Sequence, residues 1–274
     1  MRHQRQLLLQ KNSLTIHLSI LLSLCALFCL IENAHSQPKQ PNNEPTPQTS
    51  DGRTLAADLC NQRPGQDFST SGLFKTRDPQ GRRLQQYVSL KTSTSTNSTN
   101  SWQAIYEAGP SAAQITSKLT ITHHTDAPNQ YLLALSGENG LLSDPTTVTP
   151  SQTMIPFAGT EFWMTDLGMD FFHWPQQKII KREMRKSRPC KVLESTNPNP
   201  SAGSYARVLS WIDNETGGLL RAEAYDASRK LLKEFSLRSF SKINGHWELK
   251  EIEIRNTLTD ATTRLEFDLE IPEQ

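Results

Sequence analysis

The sequence predicts a mainly β protein: a long, strongly curled antiparallel sheet, with one helix ahead of it and a short one in its middle. Three observations point there. From residue 68 onward, apolar residues recur with a period of two in segment after segment, the pattern of strands with one buried face. Short turn-rich pieces separate the segments, which joins consecutive strands into a meander. The pattern lapses at length in a helix-like stretch near 50–62 and around "GTEFWMTDLGMDFFHWP", residues 159–175.

The first helix is "SDGRTLAADLCNQ". Ser50 or Asp51 can cap it, Leu55 and Leu59 share a face at i, i+4, and Pro64 lies where it should stop. "FSTSGLFKTRD", "RRLQQYVSLKT", "SWQAIYEA", "KLTITHH" and "QYLLALS" then read as strands. Residues 137–158 carry Pro145, Pro150 and Pro156 and read as a long loop, of a length that is usually functional or mobile. Strand signals return in "QKIIKREM", "RPCKVLES", "SYARVLSWID", "LLRAEAYD" and "RKLLKEFSLRSF". Asn244-Gly245 reads as a hairpin turn into "HWELKEIEIRN" and a closing strand, "ATTRLEFDLEI".

In the closing strand Thr263, Leu265, Phe267, Leu269 and Ile271 share one face, and Arg264, Glu266, Asp268 and Glu270 the other. In "WELKEIEI" the phase slips between Leu249 and Ile252, which predicts a bulge near Lys250-Glu251. So many consecutive strands should curl strongly or close on themselves. A curled sheet needs something to cover its inner face, and the two helices are the available covers.

The segment 159–175 is the densest aromatic stretch of the chain. Thr160 can cap a helix of under two turns, with Glu161 in its first turn and Gly168 as its stop. Glu161, Asp166 and Asp170 limit how deeply the segment sinks, because unpaired buried charge is costly. The expected arrangement is a partly exposed cover with aromatics facing in and acids facing out. Phe157, Phe162, Trp163, Met164, Leu167, Phe171, Phe172 and Trp174 are its candidate ligand-binding residues, as a mobile lid or as a fixed core plug.

Arg2, Arg5 and Lys11 precede the apolar run 14–31, and Ala34 and Ser36 supply a small-residue cleavage site. Residues 1–36 therefore read as a signal peptide, with an uncleaved anchor as the rival. The linker 37–52, rich in Pro, Asn, Gln and Thr, has the composition of disorder. One domain, 53–272, follows. Removing residues 1–36 leaves 26 basic and 27 acidic residues of the original 29 and 28, a net charge of −1. That balance argues against a nucleic-acid partner and gives no sign of electrostatic recruitment to an acidic membrane.

Cys60 and Cys190 could pair in an oxidising compartment or remain two buried thiols. No nucleophile elbow, P-loop, dinucleotide turn or zinc-protease motif is present. His123 and His124, adjacent on a strand, face opposite ways and cannot chelate one ion together. His173 reads as an ordinary half-buried histidine or a headgroup donor. Asn97 and Asn214 begin glycosylation sequons, a match frequent by chance. No enzyme, cofactor or metal is expected.

"PFAGTEFWMTDLG", "WPQQKIIKREMRKSRPCKVLES", "YARVLSWIDNETGGLLRAEAYDASRKLLKEFS" and "INGHWELKEIEIRNTLTDATTRLEF", in that order, resemble the bacterial outer-membrane lipoprotein-sorting proteins of the LolA/LolB-like fold. The resemblance is narrowest to an uncharacterised branch with a G-[ST]-[DE]-F-x-x-x-D-L segment, here Gly159, Thr160, Glu161, Phe162, Asp166 and Leu167. It runs from about residue 53 to 271. It implies an unclosed β-barrel of about eleven strands plugged by helices, and a monomeric periplasmic carrier that shields acyl chains and meets membrane sorting components. The basic residue that governs the lid in known carriers has no identifiable position. The alternative is a protein-binding or sensor module with a filled interior and an apolar patch outside.

Overall fold

A computed structural model of the chain describes residues 49–94, 100–243 and 246–268. Helix α1 (Thr49–Cys60) is followed by β1 (Phe68–Arg77), β2 (Arg83–Thr94), β3 (Ser101–Gly109), β4 (Ser117–His124), β5 (Gln130–Leu135) and β6 (Thr146–Val148). After α2 (Met164–Gly168) come β7 (Gln176–Arg185), β8 (Arg188–Thr196), β9 (Arg207–Asp213), β10 (Leu219–Tyr225), β11 (Leu231–Ile243), β12 (His246–Asn256) and β13 (Thr262–Phe267). Two turns of 3-10 helix, Pro150–Gln152 and Asp170–His173, flank α2. Every strand read from the alternation is present. β6 is an addition, in the stretch read as loop.

All thirteen strands form one antiparallel sheet in the order β6-β5-β4-β3-β2-β1-β13-β12-β11-β10-β9-β8-β7. It is two meanders fused along β1 and β13, where Gly72 to Arg77 face Phe267 to Thr262. The sheet is an open, curved one, because β6 and β7 are its two edges and do not meet. Since β6 and β7 also follow each other in sequence, residues 149–175 have to travel from one edge of the sheet to the other. They do so across the inner face. That geometry explains why the densest aromatic segment lies between a loop and a strand.

The bulge falls where the phase slips: Ser239 faces Glu251 and Phe240 faces Leu249, leaving Lys250 without a partner in the ladder. In β13, Thr263, Leu265 and Phe267 are buried while Arg264 is exposed. Leu269, Glu270, Ile271, the Asn244-Gly245 turn, Asn97 and the segments 1–36 and 37–48 lie outside the described residues. α1 begins at Thr49, inside the stretch read as linker.

The core has two parts. In one, Phe74, Val88, Trp102, Tyr106, Leu119, Ile121, Ile252 and Leu265 of the sheet meet Phe157, Phe162, Met164 and Leu167 of the crossing segment. In the other, Ile179, Leu193, Val208, Ile212 and Ala222 meet Phe171, Phe172 and Ala56 of α1. α1 lies so close to β7 that a Cβ on Gly52 would sit 2.7 Å from the carbonyl oxygen of Gln177. Among the described residues no helix is long and apolar enough to cross a membrane.

Candidate functional site: a strap across the hollow

The crossing segment, here called the strap, begins with a small hairpin. Phe157 N–H donates to the Phe162 carbonyl at 2.8 Å, and Ala158 and Gly159 make the turn with φ of 50° and 69°. The turn points Phe157 and Phe162 the same way, and both are 1% exposed. Their ring centroids lie 6.4 and 5.8 Å from that of Phe74. Thr160 does not cap the helix as expected; its hydroxyl donates to the Phe157 carbonyl within the hairpin. Trp163 takes the N-cap position, and Asp166, in the first turn, accepts its N–H through Oδ2 at 2.8 Å. Gly168 is the last helical residue, and Met169, with φ of 52°, makes the left-handed exit. A Cβ on Gly168 would lie 1.9 Å from the Tyr131 hydroxyl oxygen, so only glycine lets α2 approach β5 this closely.

Several polar groups tie the strap to the sheet, among them Asn256 of β12, which donates to the Glu161 carboxylate at 3.1 Å. Gln177 of β7, 3% exposed, donates through Nε2 to the carbonyls of Phe171, Phe172 and Trp174 and accepts from Ser195. Thr263 of β13 accepts the Glu161 N–H at 2.9 Å. Lys233 of β11, 3% exposed, donates to the Glu161 carbonyl and lies 3.7 Å from the Glu161 carboxylate. Its ammonium also sits 4.1 Å from the centre of the Trp163 ring. The other side of that ring stacks on Tyr205 at 4.6 Å. Asn129, at the foot of β5, donates to the Gly168 carbonyl and to the Asp170 carboxylate.

The acids do not face outward as expected. Asp166 accepts from Tyr205 as well as from Trp163, and Asp170 lies among Asn129, Tyr131, Thr153 and Thr165. The physical reason is a set of buried hydrogen-bond donors that no linear pattern displays. Charge is nevertheless disfavoured there. Burial raises the Asp170 carboxyl to about 7 and outweighs the hydrogen bonds that favour its ionised form. Burial likewise raises Asp166, against the attraction of Lys233. Lys233 is pushed down to about 8 by burial, although Asp166 and Glu161 pull the other way.

An inner cleft lies behind the strap. An apolar cleft of about 20 Å³ is bounded by Phe171, Tyr205, Val208, Ala222, Phe235 and Lys233, room for a single water-sized sphere. The sequence leads one to expect a partly empty interior; around this cleft the strap's rings pack against the inner wall. A second, more open groove of about 230 Å³ lies outside, between α1, the β4–β5 turn and residues 172–177. Phe171 lines the inner cleft and Phe172 the outer groove, and their rings touch edge-on at 4.6 Å.

Of the candidate residues, Phe157, Phe162, Met164, Leu167, Phe171 and Phe172 are buried, and Trp163 and Trp174 half-buried. Cys60 and Cys190 are free thiols. They sit in different parts of the core: Cys60 packs with α1 against the inner face, whereas Cys190 alternates with Leu193 to the opposite one. Cys60 Sγ lies 3.7 Å from His173 Nδ1, and burial pushes its thiol up to about 12. His123 stacks flat on Trp102 at 3.9 Å, and burial takes it down to about 3. Among the described residues no cluster of three metal-ligating side chains occurs.

Sequence reasoning missed Lys233, Asn129, Tyr205 and Gln177. Lys233 alone left a signal. It shares strand parity with Phe235 and Leu237, a place where the alternation calls for an apolar residue.

An open curved sheet with its hollow filled by a strap running edge to edge is the LolA-like fold, one that encloses apolar matter without a closed barrel. A family model described as that of an uncharacterized-protein-like family matches residues 110–271, more than half of the chain, and the chain belongs to that family. Among solved structures it is similar to an outer-membrane lipoprotein-sorting protein domain from Vibrio parahaemolyticus, with TM-score 0.66 and 17% identity over 81% of this chain and 92% of that one. It is also similar to a DUF1329 family protein from Desulfovibrio piger, with TM-score 0.64 and 16% identity over 80% and 91%. A LolA superfamily protein from Nitrosomonas europaea aligns with TM-score 0.54 and 17% identity over 82% and 94%. At these identities the likeness is one of fold. No curated protein matches the sequence.

Proposed function

We propose that this protein is an exported, non-enzymatic carrier. It shields the acyl chains of a lipid or lipidated protein inside the curved sheet, takes part in outer-membrane lipoprotein sorting, and has the strap as its displaceable cover. The observation that carries this reading is the strap's hold on the sheet. Its rings fill the hollow, yet two of the groups that fix it, Asp170 and Lys233, carry charge against the pull of burial near neutral pH. A cover has to come from the low-stability end of a structure, and these ionisation costs support such a role for the strap.

The exchange is one of like for like. An acyl chain of about sixteen carbons gains over 10 kcal/mol on leaving water. It replaces rings that leave the same wall. Rotation of Phe171 and Phe172 would join the inner cleft to the outer groove and give the chain a way in. Phe157, Phe162, Trp163, Met164, Leu167 and Trp174 line the path in this scheme. The basic lead, apolar run and Ala34/Ser36 pair support export to the periplasm, with residues 1–36 removed or kept as an anchor. Likeness to a sorting domain supports membrane sorting components as partners.

A second reading has its own observation. The inner cleft is only about 20 Å³, and Leu132, Leu135 and Leu141 stand 39%, 51% and 68% exposed at the β5 end of the sheet. Those features suit a module that binds protein. Native mass spectrometry after mild extraction decides between them, together with a fluorescent fatty acid titrated into wild type and Trp163→Ala. Lipid-sized adducts and probe uptake altered by the substitution support the carrier. A bare mass with no uptake by either protein overturns it.

A further inference from the structure

The tip of the β7–β8 hairpin concentrates positive charge that the net charge of the chain conceals. Residues 181–191, "KREMRKSRPCK", hold six Lys and Arg and one acid. That acid is taken: Lys181 lies 2.7 Å from Glu183, which also accepts the Trp211 indole N–H. Asp213 and Glu215 are both held by Arg188. Among the described residues no carboxylate lies within ion-pair distance of Arg182, Arg185 or Lys186.

Folding then adds a fourth cation. Lys186, at the turn, donates to the Leu237 carbonyl of β11. This brings the hairpin tip to the next residue, Arg238. The ammonium of Lys186 is held below its ordinary range by burial and then by Arg238 and Arg185, so these like charges feel one another. Among the described residues the carboxylate within ion-pair distance of Arg238 is that of Glu253, at 3.8 Å, and Glu253 is bound more closely by Arg264 at 2.7 Å. Among these cations stands Met184, 63% exposed, on the same hairpin face as Arg182.

We propose that this hairpin tip, with Arg182, Arg185, Lys186 and Arg238 around Met184, docks onto the anionic headgroups of a phospholipid surface. The cations do not converge on one point. They lie on both faces of a hairpin and on β11, three strands from β8 in the sheet and reached by the Lys186 contact, an arrangement that meets a plane of phosphates rather than a single anion. The exposed thioether among them suits the boundary between headgroups and acyl chains. Charges on an edge strand also guard against pairing with other sheets, but guarding explains neither Arg238, from an interior strand, nor Met184. This gives a carrier a way to meet a membrane, and it holds whether or not the interior takes lipid.

The test is flotation of the full chain with vesicles of phosphatidylethanolamine containing one-third phosphatidylglycerol, against vesicles of phosphatidylcholine. Because every variant keeps residues 1–36, comparison with wild type separates the hairpin's part from that of Arg2, Arg5, Lys11 and the apolar run 14–31. Wild type binds the anionic vesicles preferentially, and high salt abolishes the preference. Each near-surface cation is worth about fivefold in partitioning. Arg182→Gln/Lys186→Gln/Arg238→Gln therefore lowers binding about 100-fold, whereas Arg83→Gln/Lys230→Gln leaves it unchanged. Arg182→Glu/Met184→Ser alters only exposed side chains and, with two units of charge changed, lowers binding about 25-fold with the fold intact. Wild type without an anionic preference, variants that bind as wild type does, or displacement by free inorganic phosphate would each overturn the proposal.

Discussion

Asp170→Asn should make the protein's stability less sensitive to pH. The wild-type carboxyl is raised from 3.8 to about 7 by burial. A raised carboxyl binds its proton more tightly in the folded state. Stability is therefore full below about 4 and falls as pH climbs toward 7, the opposite of a salt-bridged acid. At about 1.4 kcal/mol per pH unit the full loss is a little over 4 kcal/mol, and the part that falls between pH 5 and 8 is about 2–3 kcal/mol. Asparagine fills the same space and keeps an acceptor for Asn129, 3.0 Å away, but it cannot ionise. Urea unfolding of both proteins at pH 5 and pH 8, followed by tryptophan fluorescence, reads the double difference. Wild type should lose about 2–3 kcal/mol more than the variant, which becomes the more stable of the two at pH 8. Hydrogen exchange should place the gain in residues 164–173. An equal pH response in the two proteins refutes the assignment, because every other titrating group is common to both.

Lys233, depressed to about 8, acts in the opposite sense. Its neutral form is favoured by folding, so strap protection in hydrogen exchange, corrected for intrinsic rate, should rise between about pH 8 and 10, and Lys233→Met should abolish that rise. With Asp170, this leaves the strap weakest near pH 7 to 8. Phe162→Ala removes a ring that is 1% exposed and should cost about 3–5 kcal/mol in urea unfolding; a loss under about 1 kcal/mol would mean that the hairpin is not packed. Thiol labelling in denaturant, read by peptide mass, should find Cys60 and Cys190 both reduced. Under native conditions Cys60 should alkylate slowly, since few of its thiols are ionised; a linked peptide would contradict the free thiols seen here.

The period-two alternation determined most of the fold. Strand identity follows from it because burying one face of a strand needs no information beyond that strand, and the slip at Lys250 located the bulge for the same reason. The aromatic segment, too, was legible as a cover. Tertiary structure alone decided what it covers. The pairing of β1 with β13 left β6 and β7 at opposite edges, and that long-range choice forced the strap across the hollow. It also decided which way the acids turn. Asp170 meets Asn129 and Tyr131, and Asp166 meets Tyr205 and Lys233, partners 39 or more residues away in sequence. A charge pattern read along the chain sees only near neighbours. Burial energy depends on neighbours in space, so the strap's polar hold and the crowding of Arg238 onto a distant hairpin tip exist only once the sheet has formed.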